Sequence, residues 1–503
     1  MNAPRTAAIA FIFVTVVLDV LSLGVTIPVA PKLIEGMVLN QYLTAGPDGP
    51  PRVSAEVASD IIEALRSAPT AAQAQSRLET EFQLTAAQQE RILQTPLETI
   101  TGTASHYFGV FGTVWALMQF VFSPIMGALS DRFGRRRVIL ISCVGLGLDY
   151  ILMALAPNLV WLFIGRILSG ITAASFATAA AYIADVTPPE KRAASYGMFG
   201  AAWGIGFVFG PGMGGLLGET ALRLPFWVAG GLTLLNAAYG YFVLPESLAE
   251  EHRSNFSWRR ANPLGSLKLL RSHPELLGLA SVLLIYQLAH QVLQSVFVLY
   301  AGYRYAWGSQ TVGLTLMVVG IFGVLMQGFV VRRTAPLLGE RRMLFIALVF
   351  GGLGYMIYGL ANTGWLFWAA IPVFSLVGFF NPAMQGLMTR RVSPREQGQL
   401  QGANSSLMGI AGMTGPLIFT AVFSLAISDS APIQLPGAPF LLATCLHAVA
   451  IGVAWLVLKR VPATARTTAA PAPAAAAVAP TAASPSDMAP TPGERAAGEA
   501  RGG

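Results

Sequence analysis

Long apolar runs separated by short charged clusters dominate this chain. Twelve of the runs hold between 19 and 26 residues, and about 20 residues of α-helix are enough to cross the hydrocarbon core of a bilayer. The pattern therefore predicts an all-α polytopic membrane protein with twelve transmembrane helices in two six-helix bundles. The predicted spans are 7–30, 106–126, 138–156, 159–184, 194–216, 225–245, 277–300, 309–331, 343–361, 366–388, 399–424 and 439–458.

The segments between the apolar runs indicate the domain organisation. We predict an N-terminal bundle (1–245) with an extracytoplasmic insert (36–105), a cytoplasmic linker (246–276), a C-terminal bundle (277–460) and a disordered Ala/Pro-rich cytoplasmic tail (461–503). The insert carries helical signals: Ala58, Ile61, Ile62 and Leu65 form an apolar face at helix spacing, and Thr85 with Gln88 is typical of a capping box.

Composition supports a membrane protein, since 54% of the residues are hydrophobic, 11% are charged and the mean hydropathy is +0.58. If the N-terminus is cytoplasmic, 24 of the 32 Lys and Arg residues lie on the cytoplasmic side, seven lie outside and Arg166 lies within a span. This bias predicts that both termini are cytoplasmic. It also accounts for the net charge of +7, so no nucleic-acid partner is expected. The two cysteines have no metal or disulfide spacing, and we expect no cofactor.

The two halves repeat each other at an offset of about 205 residues. The segment 133–137 returns as 338–342, and the Gly210-Pro211 pair returns as Gly415-Pro416. These matches indicate a duplicated six-helix unit, and paired halves around a central cavity are typical of transporters that alternate access.

Three ionisable side chains lie inside predicted spans of the first half: Asp19, Asp149 and Arg166. Each costs roughly 2.5–3.5 kcal/mol on insertion scales and is expected to face the bundle interior. A carboxylate held among apolar groups and near an arginine can be tuned to exchange protons. The alternative is a static Asp–Arg pair that fixes the bundle.

The loop between the second and third spans carries glycines and a dense set of charges: Gly127, Asp131, Arg132, Gly134, Arg135 and Arg136. This string resembles the signature loop of the major facilitator superfamily. The fifth span, with Gly206, Gly210, Pro211, Gly214 and Gly215, is similar to that superfamily's antiporter signature. The resemblance implies that Asp131 and Arg135 form a cytoplasmic charge network with Asp185 at the end of span 4 and with span 11.

Further motifs resemble the tetracycline-efflux (Tet) branch of the drug/proton antiporters. They are Leu18-Asp19 followed by Gly24 and Pro28, then Asp149-Tyr150, the segment 182–185, and the segment 395–402. In that branch the positions of Asp19 and Asp149 resemble residues that handle substrate and protons. The resemblance covers nearly all of 7–460 except the insert.

Span 7 places four polar residues on one face of the helix, at Gln287, His290, Gln291 and Gln294. We interpret them as the lining of a substrate cavity, although hydrogen bonds to neighbouring helices are an alternative use. We add Gln327, Asn381, Gln385 and Asn404 to this lining. His447 in span 12 is expected to be a satisfied structural residue.

The second half departs from the Tet pattern. Tet exporters carry an acidic residue in span 9 and a histidine in span 8, where this chain has Gly351 and Gly323. No acidic residue lies inside a predicted second-half span. We therefore expect proton coupling to run through Asp19, Asp149 or His290, and the substrate, tetracycline included, stays open.

The sequence thus predicts a secondary antiporter of the bacterial inner membrane, monomeric and in contact with lipid, that exports small amphiphilic molecules in exchange for protons. A facilitator or importer of a metabolite is the second transport alternative. A membrane enzyme would need a catalytic cluster, and a pump driven by ATP would need a Walker loop; neither motif occurs. A receptor or scaffold that binds through the insert is the remaining alternative.

Overall fold

The computed structural model describes residues 3–43, 53–68, 70–82, 84–173, 175–188, 192–253, 265–272, 274–393 and 396–460. These residues are mostly helical, and none of them lies in a β-strand. The predicted tail and residues 254–264 of the predicted linker fall outside the described residues.

The helices occur where the apolar pattern predicts them. Span 1 is Ala3–Thr26 continued by Ala30–Leu43, span 2 is Leu97–Phe133, span 3 is Arg135–Leu155, span 4 is Leu159–Thr172 with Ser175–Val186, span 5 is Arg192–Thr220 and span 6 is Leu224–Val243. Span 7 is Pro274–Ser295 with Phe297–Tyr305, span 10 is Gly364–Ser375 with Leu376–Phe379 and Phe380–Thr389, span 11 is Gln397–Ile427 and span 12 is Ala438–Arg460. Spans 8 and 9 share the stretch formed by Ser309–Leu325, the π-helical turn Met326–Val331 and Arg332–Leu360.

By length and hydropathy, 10 helices in the described part of the chain could cross a membrane. The number is below twelve for two reasons. Span 4 is interrupted after Thr172, so each of its pieces is short. Spans 8 and 9 run together as one helical stretch of 52 residues, although Gly339, with φ 71° and ψ 160°, turns the chain inside it. When span 4 is counted as one and this stretch as two, the twelve predicted helices are confirmed.

Two glycines make the equivalent corners of the two halves. Gly134, with φ 100°, ends span 2, and Gly339 ends span 8. A residue with a Cβ rarely adopts a positive φ, so each corner needs glycine. Since the two positions are 205 residues apart, the internal duplication expected from the sequence appears in the backbone.

A small helical domain, which we call the cap, lies between spans 1 and 2. It consists of helices α1 (Ala55–Ser67), α2 (Ala71–Thr80) and α3 (Ala86–Gln94). The predicted apolar face of α1 is buried, because Ala58, Ile61 and Ile62 are at most 2% exposed. The predicted capping box is also confirmed: the Thr85 hydroxyl accepts from the Gln88 amide at 3.3 Å, while the Gln88 side chain accepts from the Thr85 amide at 2.8 Å.

We call the end of the bundle next to the cap the cap end, and the end that carries the Gly134 and Gly339 corners the loop end. The halves meet along two helix pairs, span 2 with span 11 and span 5 with span 8. At the cap end both pairs are in close contact. Ser105 and Thr113 donate to the carbonyls of Thr420 and Met413 at 3.3 and 2.8 Å.

Towards the loop end the same four helices diverge. A Cβ added at Gly127, Gly197, Gly328 or Gly398, one glycine from each helix, would meet no atom within 4 Å. By contrast, a Cβ at Gly215 in the cap-end half of span 5 would lie 2.6 Å from the Ser309 carbonyl oxygen. The two halves are therefore closed at the cap end and open at the loop end.

This difference predicts opposite effects of alanine at two glycines of span 5. Gly215→Ala is expected to push span 8 away and to lower the free energy of unfolding by about 1–3 kcal/mol, because the Ser309 backbone cannot move aside cheaply. Gly197→Ala has open space and is expected to be neutral or to stabilise the helix by up to about 1 kcal/mol. Thermal unfolding of the two variants in detergent measures the difference. An equal loss of unfolding free energy in the two variants would contradict the close packing of spans 5 and 8 at the cap end.

Candidate functional site

Asp19 is buried inside the N-terminal half, with 3% of its surface exposed. Its carboxylate accepts a hydrogen bond from the Asn236 amide of span 6 at 3.3 Å, and Asn236 in turn accepts from the Thr15 hydroxyl at 3.2 Å. Asp19 is thus part of a polar contact between spans 1 and 6. The sequence analysis did not include Asn236, although an amide inside an apolar run is a signal that could have identified it.

Asp149 of span 3 is also buried, with 1% of its surface exposed. Its one hydrogen-bonding neighbour among the described residues is Ser169 of span 4, and the geometry between them falls short of a well-formed hydrogen bond. It lies against Gly165 of span 4, where an added Cβ would be 2.7 Å from one carboxylate oxygen. A glycine at 165 therefore provides the space that this carboxylate occupies.

Arg166, half-buried on span 4, does not form an ion pair with Asp149 among the described residues, although their charges interact. The buried Tyr150 lies within electrostatic range of Asp19, Asp149 and Arg166. The three predicted ionisable residues thus surround one region of the N-terminal half. The arrangement is not the close static pair that was considered as the alternative.

The predicted gating loop forms a charge network at the loop end. Arg135, with 9% of its side chain exposed, lies 2.5 Å from the Asp131 carboxylate and 3.2 Å from the Asp185 carboxylate. Its guanidinium also donates to the Ser130 hydroxyl at 2.6 Å. Gly127 has open space around it, and the backbone at Gly134 turns directly before Arg135.

Among the described residues, which leave out 394 and 395 before span 11, the partners of this network lie in the N-terminal half. Glu246, just after span 6, accepts from the Arg135 amide at 2.8 Å and fills the space where a Cβ at Gly134 would lie. Ser247 donates to the Asp185 carboxylate at 3.1 Å, and Arg136 donates to the Tyr241 carbonyl at 2.6 Å. Glu246 thus caps the first turn of span 3, where a negative charge is favourable. The Arg132 guanidinium lies 5.1 Å from the centre of the Phe133 ring.

Sequence reasoning missed Glu246 because the residue belongs to no loop motif that the analysis used. A carboxylate placed directly after the Pro245 that ends span 6 was the only local signal.

The C-terminal half carries the equivalent ion pair with the charges exchanged. Glu340 and Arg390 lie 2.7 Å apart. Each follows its N-terminal counterpart, Arg135 or Asp185, by 205 residues. The duplicated unit therefore keeps a salt bridge at the same place, with the basic residue after the corner in one half and the acidic residue there in the other.

Glycines of span 5 face two neighbouring helices. A Cβ at Gly206 or Gly210 would lie 2.7 to 2.8 Å from atoms of span 1, and a Cβ at Gly214 would collide with the Val25 carbonyl. Pro211 contacts Gly24 of span 1 and Gly313 of span 8, and Gly215 packs on span 8. The predicted motif thus allows span 5 to approach a helix of its own half and a helix of the other half, which small residues make possible in membranes.

Among the four polar residues on span 7, His290 forms a hydrogen bond with a described side chain. Its Nδ1 lies 3.2 Å from the Tyr355 hydroxyl. Gln291 faces span 11, with its Cβ 2.5 Å from the Cβ position of Gly415. Gln287 is half-buried and Gln294 is exposed. Their use as the lining of one substrate cavity stays a prediction.

The other predicted cavity residues lie between spans 8, 10 and 11. Gln327, in the π-helical turn of span 8, donates to the Gly378 carbonyl at 3.1 Å. Gln385 and Gln401 donate to each other at 3.3 and 3.0 Å. Asn381 is exposed, whereas Asn404 is 4% exposed and its side-chain oxygen has no recorded partner within the described chain.

His447 is only half satisfied, contrary to the expectation from the sequence. Its Nδ1 lies 3.0 Å from the Ala443 carbonyl, while Nε2 is buried with no hydrogen-bond partner among the described residues. A Cβ at Gly351 would lie 2.9 Å from this Nε2. The imidazole thus occupies the space in which a side chain at position 351 would otherwise lie.

Comparison with known proteins extends these observations. The sequence profile of the Major Facilitator Superfamily matches residues 91–416. The class C tetracycline resistance protein of Escherichia coli is 40% identical over 325 residues, which is 65% of this chain and 82% of that protein. The class G tetracycline resistance protein of Vibrio anguillarum is 37% identical over 332 residues, with the same two coverages.

Solved structures show the same fold. A bacterial homologue of the human lysosomal transporter Spinster, in an inward-facing and unoccupied conformation, has a TM-score of 0.62 and 14% identity, and the match covers 91% of this chain and 98% of that one. The human organic anion transporter MFSD10 (TETRAN) has a TM-score of 0.59 and 20% identity, over 90% and 100% of the two chains.

The two equivalent ion pairs predict unequal contributions to stability. Arg135→Gln is expected to lower the free energy of unfolding by about 1–3 kcal/mol, because it removes a buried guanidinium and leaves the partly exposed carboxylates of Asp131 and Asp185 without their partner. Arg390→Gln removes a pair whose arginine is 65% exposed, and the expected loss is below about 1 kcal/mol. Chemical unfolding in mixed micelles measures both. If the two variants lost similar amounts of unfolding free energy, the burial of Arg135 would not explain how much its ion pairs stabilise the protein.

Proposed function

Because the chain belongs to the major facilitator superfamily and, within it, to the tetracycline-resistance branch, we propose that it is a proton-coupled antiporter. It exports small amphiphilic drugs or metabolites across the bacterial inner membrane by alternating access, and the proton gradient supplies the energy. Membership of this family makes the chain a multi-pass membrane transporter rather than an enzyme. Proton coupling, the direction of transport and the substrate class are parts of the proposal.

The observation that carries the proposal is the Asp149 carboxylate, buried within a span beside Ser169 and forming no ion pair among the described residues. An ionisable group at such a depth is costly and is retained where it has a function. With no ion pair to break, this carboxylate can bind a proton from one side and release it to the other when access changes. Asp19, bonded to Asn236, lies in the same half and is the second proton-binding candidate.

The separation of the halves at one end supports alternating access. The cap end is closed by direct contacts between spans 2 and 11 and between spans 5 and 8, while the loop end is open. The positive-inside bias favours a cytoplasmic position for the loop end. In this orientation the protein is ready to take up a substrate from the cytoplasm, which is the state that an exporter needs before it binds its cargo.

The polar residues of the C-terminal half suit recognition of a small amphiphile. The amides of Gln291, Gln327 and Asn404 lie on spans 7, 8 and 11, helices whose other residues are largely apolar. Ligand sites commonly combine an apolar wall with a few polar groups that orient the ligand. Relatives named for tetracycline resistance make an antibiotic one candidate cargo, together with chemically similar metabolites.

Neutralising Asp149 is expected to abolish the coupling. In proteoliposomes with an imposed pH gradient, Asp149→Asn should lower substrate transport by at least about tenfold, because no proton can bind and leave at this position. Asp19→Asn is also expected to lower substrate transport. Transport should be measured with the gradient present and again after an ionophore has collapsed it.

Asp429→Asn is the matched control, since Asp429 is an exposed carboxylate in the connection between spans 11 and 12. It should transport as the parent protein does. Gradient-independent transport by the parent, or full activity of both Asp19→Asn and Asp149→Asn, would reject antiport through these carboxylates.

A further inference from the structure

Helix α1 of the cap is attached firmly to the N-terminal half. Glu56 forms an ion pair of 2.5 Å with Arg223, between spans 5 and 6. Arg66 donates to both carboxylate oxygens of Glu35 at 2.6 and 3.1 Å, and to the Thr101 hydroxyl at 2.6 Å. Glu35 and Thr101 belong to the helices of spans 1 and 2. A bidentate arginine–carboxylate pair is among the stronger polar contacts in proteins.

The same helix also reaches across to the C-terminal half. A Cβ at Gly302 would lie 3.3 Å from an Arg66 nitrogen, and a Cβ at Gly308 would lie 3.2 Å from a Glu63 oxygen. Gly302, Ala306 and Trp307 line one narrow cleft together with residues of α1. One helix outside the membrane therefore touches both halves at the end where they are closed.

The backbone of the C-terminal half is tightly constrained where α1 meets it. Ala306, with φ 51° and ψ 36°, ends span 7 in the left-handed region. It is the one residue other than glycine with a positive φ in the described part of the chain. Such a conformation costs an alanine free energy and is kept only where the surroundings enforce it. Here the surroundings include the cleft against α1.

The two attachments of α1 differ in strength. On the N-terminal side there are ion pairs, hydrogen bonds and a buried apolar face. On the C-terminal side, the described residues give side-chain contacts with glycines and no ion pair. When the halves separate at the cap end, α1 should therefore stay with the N-terminal half.

Several carboxylates lie on the N-terminal side of this boundary. Partial burial raises the pKa of Asp60 above its ordinary value, and the neighbouring Glu63, Glu56 and Glu219 raise it further, against Lys32. Glu63 is itself paired with Lys32 of span 1 at 2.7 Å, which is a further attachment of α1 to the N-terminal half. Glu219 of span 5 reaches the C-terminal half directly, where it accepts from the Gln310 amide at 2.9 Å.

We propose that helix α1 is an outer gate, which moves with the N-terminal half and must leave the 302–308 turn before cargo can exit at the cap end. Glu63 and Arg66 are its contact residues. The inference rests on the proposed alternating access. It assigns a role to a segment that lies mostly before the region matched by the family profile.

Reversible cross-linking tests this gate. Cys143 and Cys445 are first replaced by serine, and the pair Glu63→Cys with Gly308→Cys is introduced to join α1 to the C-terminal half. The matched control is Glu56→Cys with Arg223→Cys, which joins α1 to the N-terminal half alone. Both proteins are reconstituted in liposomes and treated with a short bifunctional thiol reagent that a reductant can cleave.

Two readouts are measured before and after cleavage: substrate transport, and hydrogen–deuterium exchange of residues 102–112 and 413–424, where spans 2 and 11 meet. The 63–308 cross-link should lower transport by at least about tenfold and slow the exchange, and the reductant should reverse both effects. The 56–223 cross-link should change neither.

Unaltered exchange and transport after the 63–308 cross-link, or equal effects of the two cross-links, would overturn the gate. Absence of transport in both uncross-linked proteins would count against the proposed function instead. In that case the exchange measurement alone still decides whether α1 restrains the opening of the cap end.

Discussion

Close approach of helix backbones at the cap end is the contact on which the present arrangement of the two halves depends. Glycines make it possible: Gly109 packs on Pro416 and Thr420, and Gly215 packs on Ser309. In a bilayer, where lipid is as apolar as the side chains, such packing and a few interhelical hydrogen bonds supply much of the attraction between helices. The contact extends from the cap end as far as Phe120 against Gly409 and Val324 against Gly204, and the glycines of the same helices nearer the loop end have open space around them.

The duplication gives the two halves matching parts with different chemistry. Each half turns at a glycine with positive φ and fixes that turn with an ion pair, yet the positions of the charges are exchanged between Arg135–Asp185 and Glu340–Arg390. The carboxylates inside the predicted spans, in contrast, belong to the N-terminal half. The C-terminal half contributes amides, histidines and aromatic rings. In the proposed mechanism the N-terminal half would bind and release protons. The C-terminal half would contribute much of the surface that contacts the substrate.

Much of the fold could be predicted from the sequence, because apolar runs of membrane length and glycine corners are local signals. The cap shows the same: the apolar face of α1 and the Thr85–Gln88 box follow from spacing alone. The site was harder to predict. Asn236 contacts Asp19, and Glu246 contacts Arg135. In each pair the two residues are more than one hundred positions apart in the chain, so no local sequence pattern predicts the contact. The polar face of span 7 was recognised, but its surroundings depend on which helices pack against each turn.

The packing of His447 against span 9 has an evolutionary consequence. A Cβ at Gly351 would lie 2.9 Å from the Nε2 of its ring, and a Cβ at Gly352 would lie 3.1 Å from the Cβ of His447. Substitutions at 351 and 447 are therefore epistatic: a larger residue on span 9 becomes acceptable only after the imidazole has been replaced by something smaller. Any mutational path that installs a new functional group at 351 must pass through span 12 first, so the order of changes in this lineage is restricted by the volume of one ring.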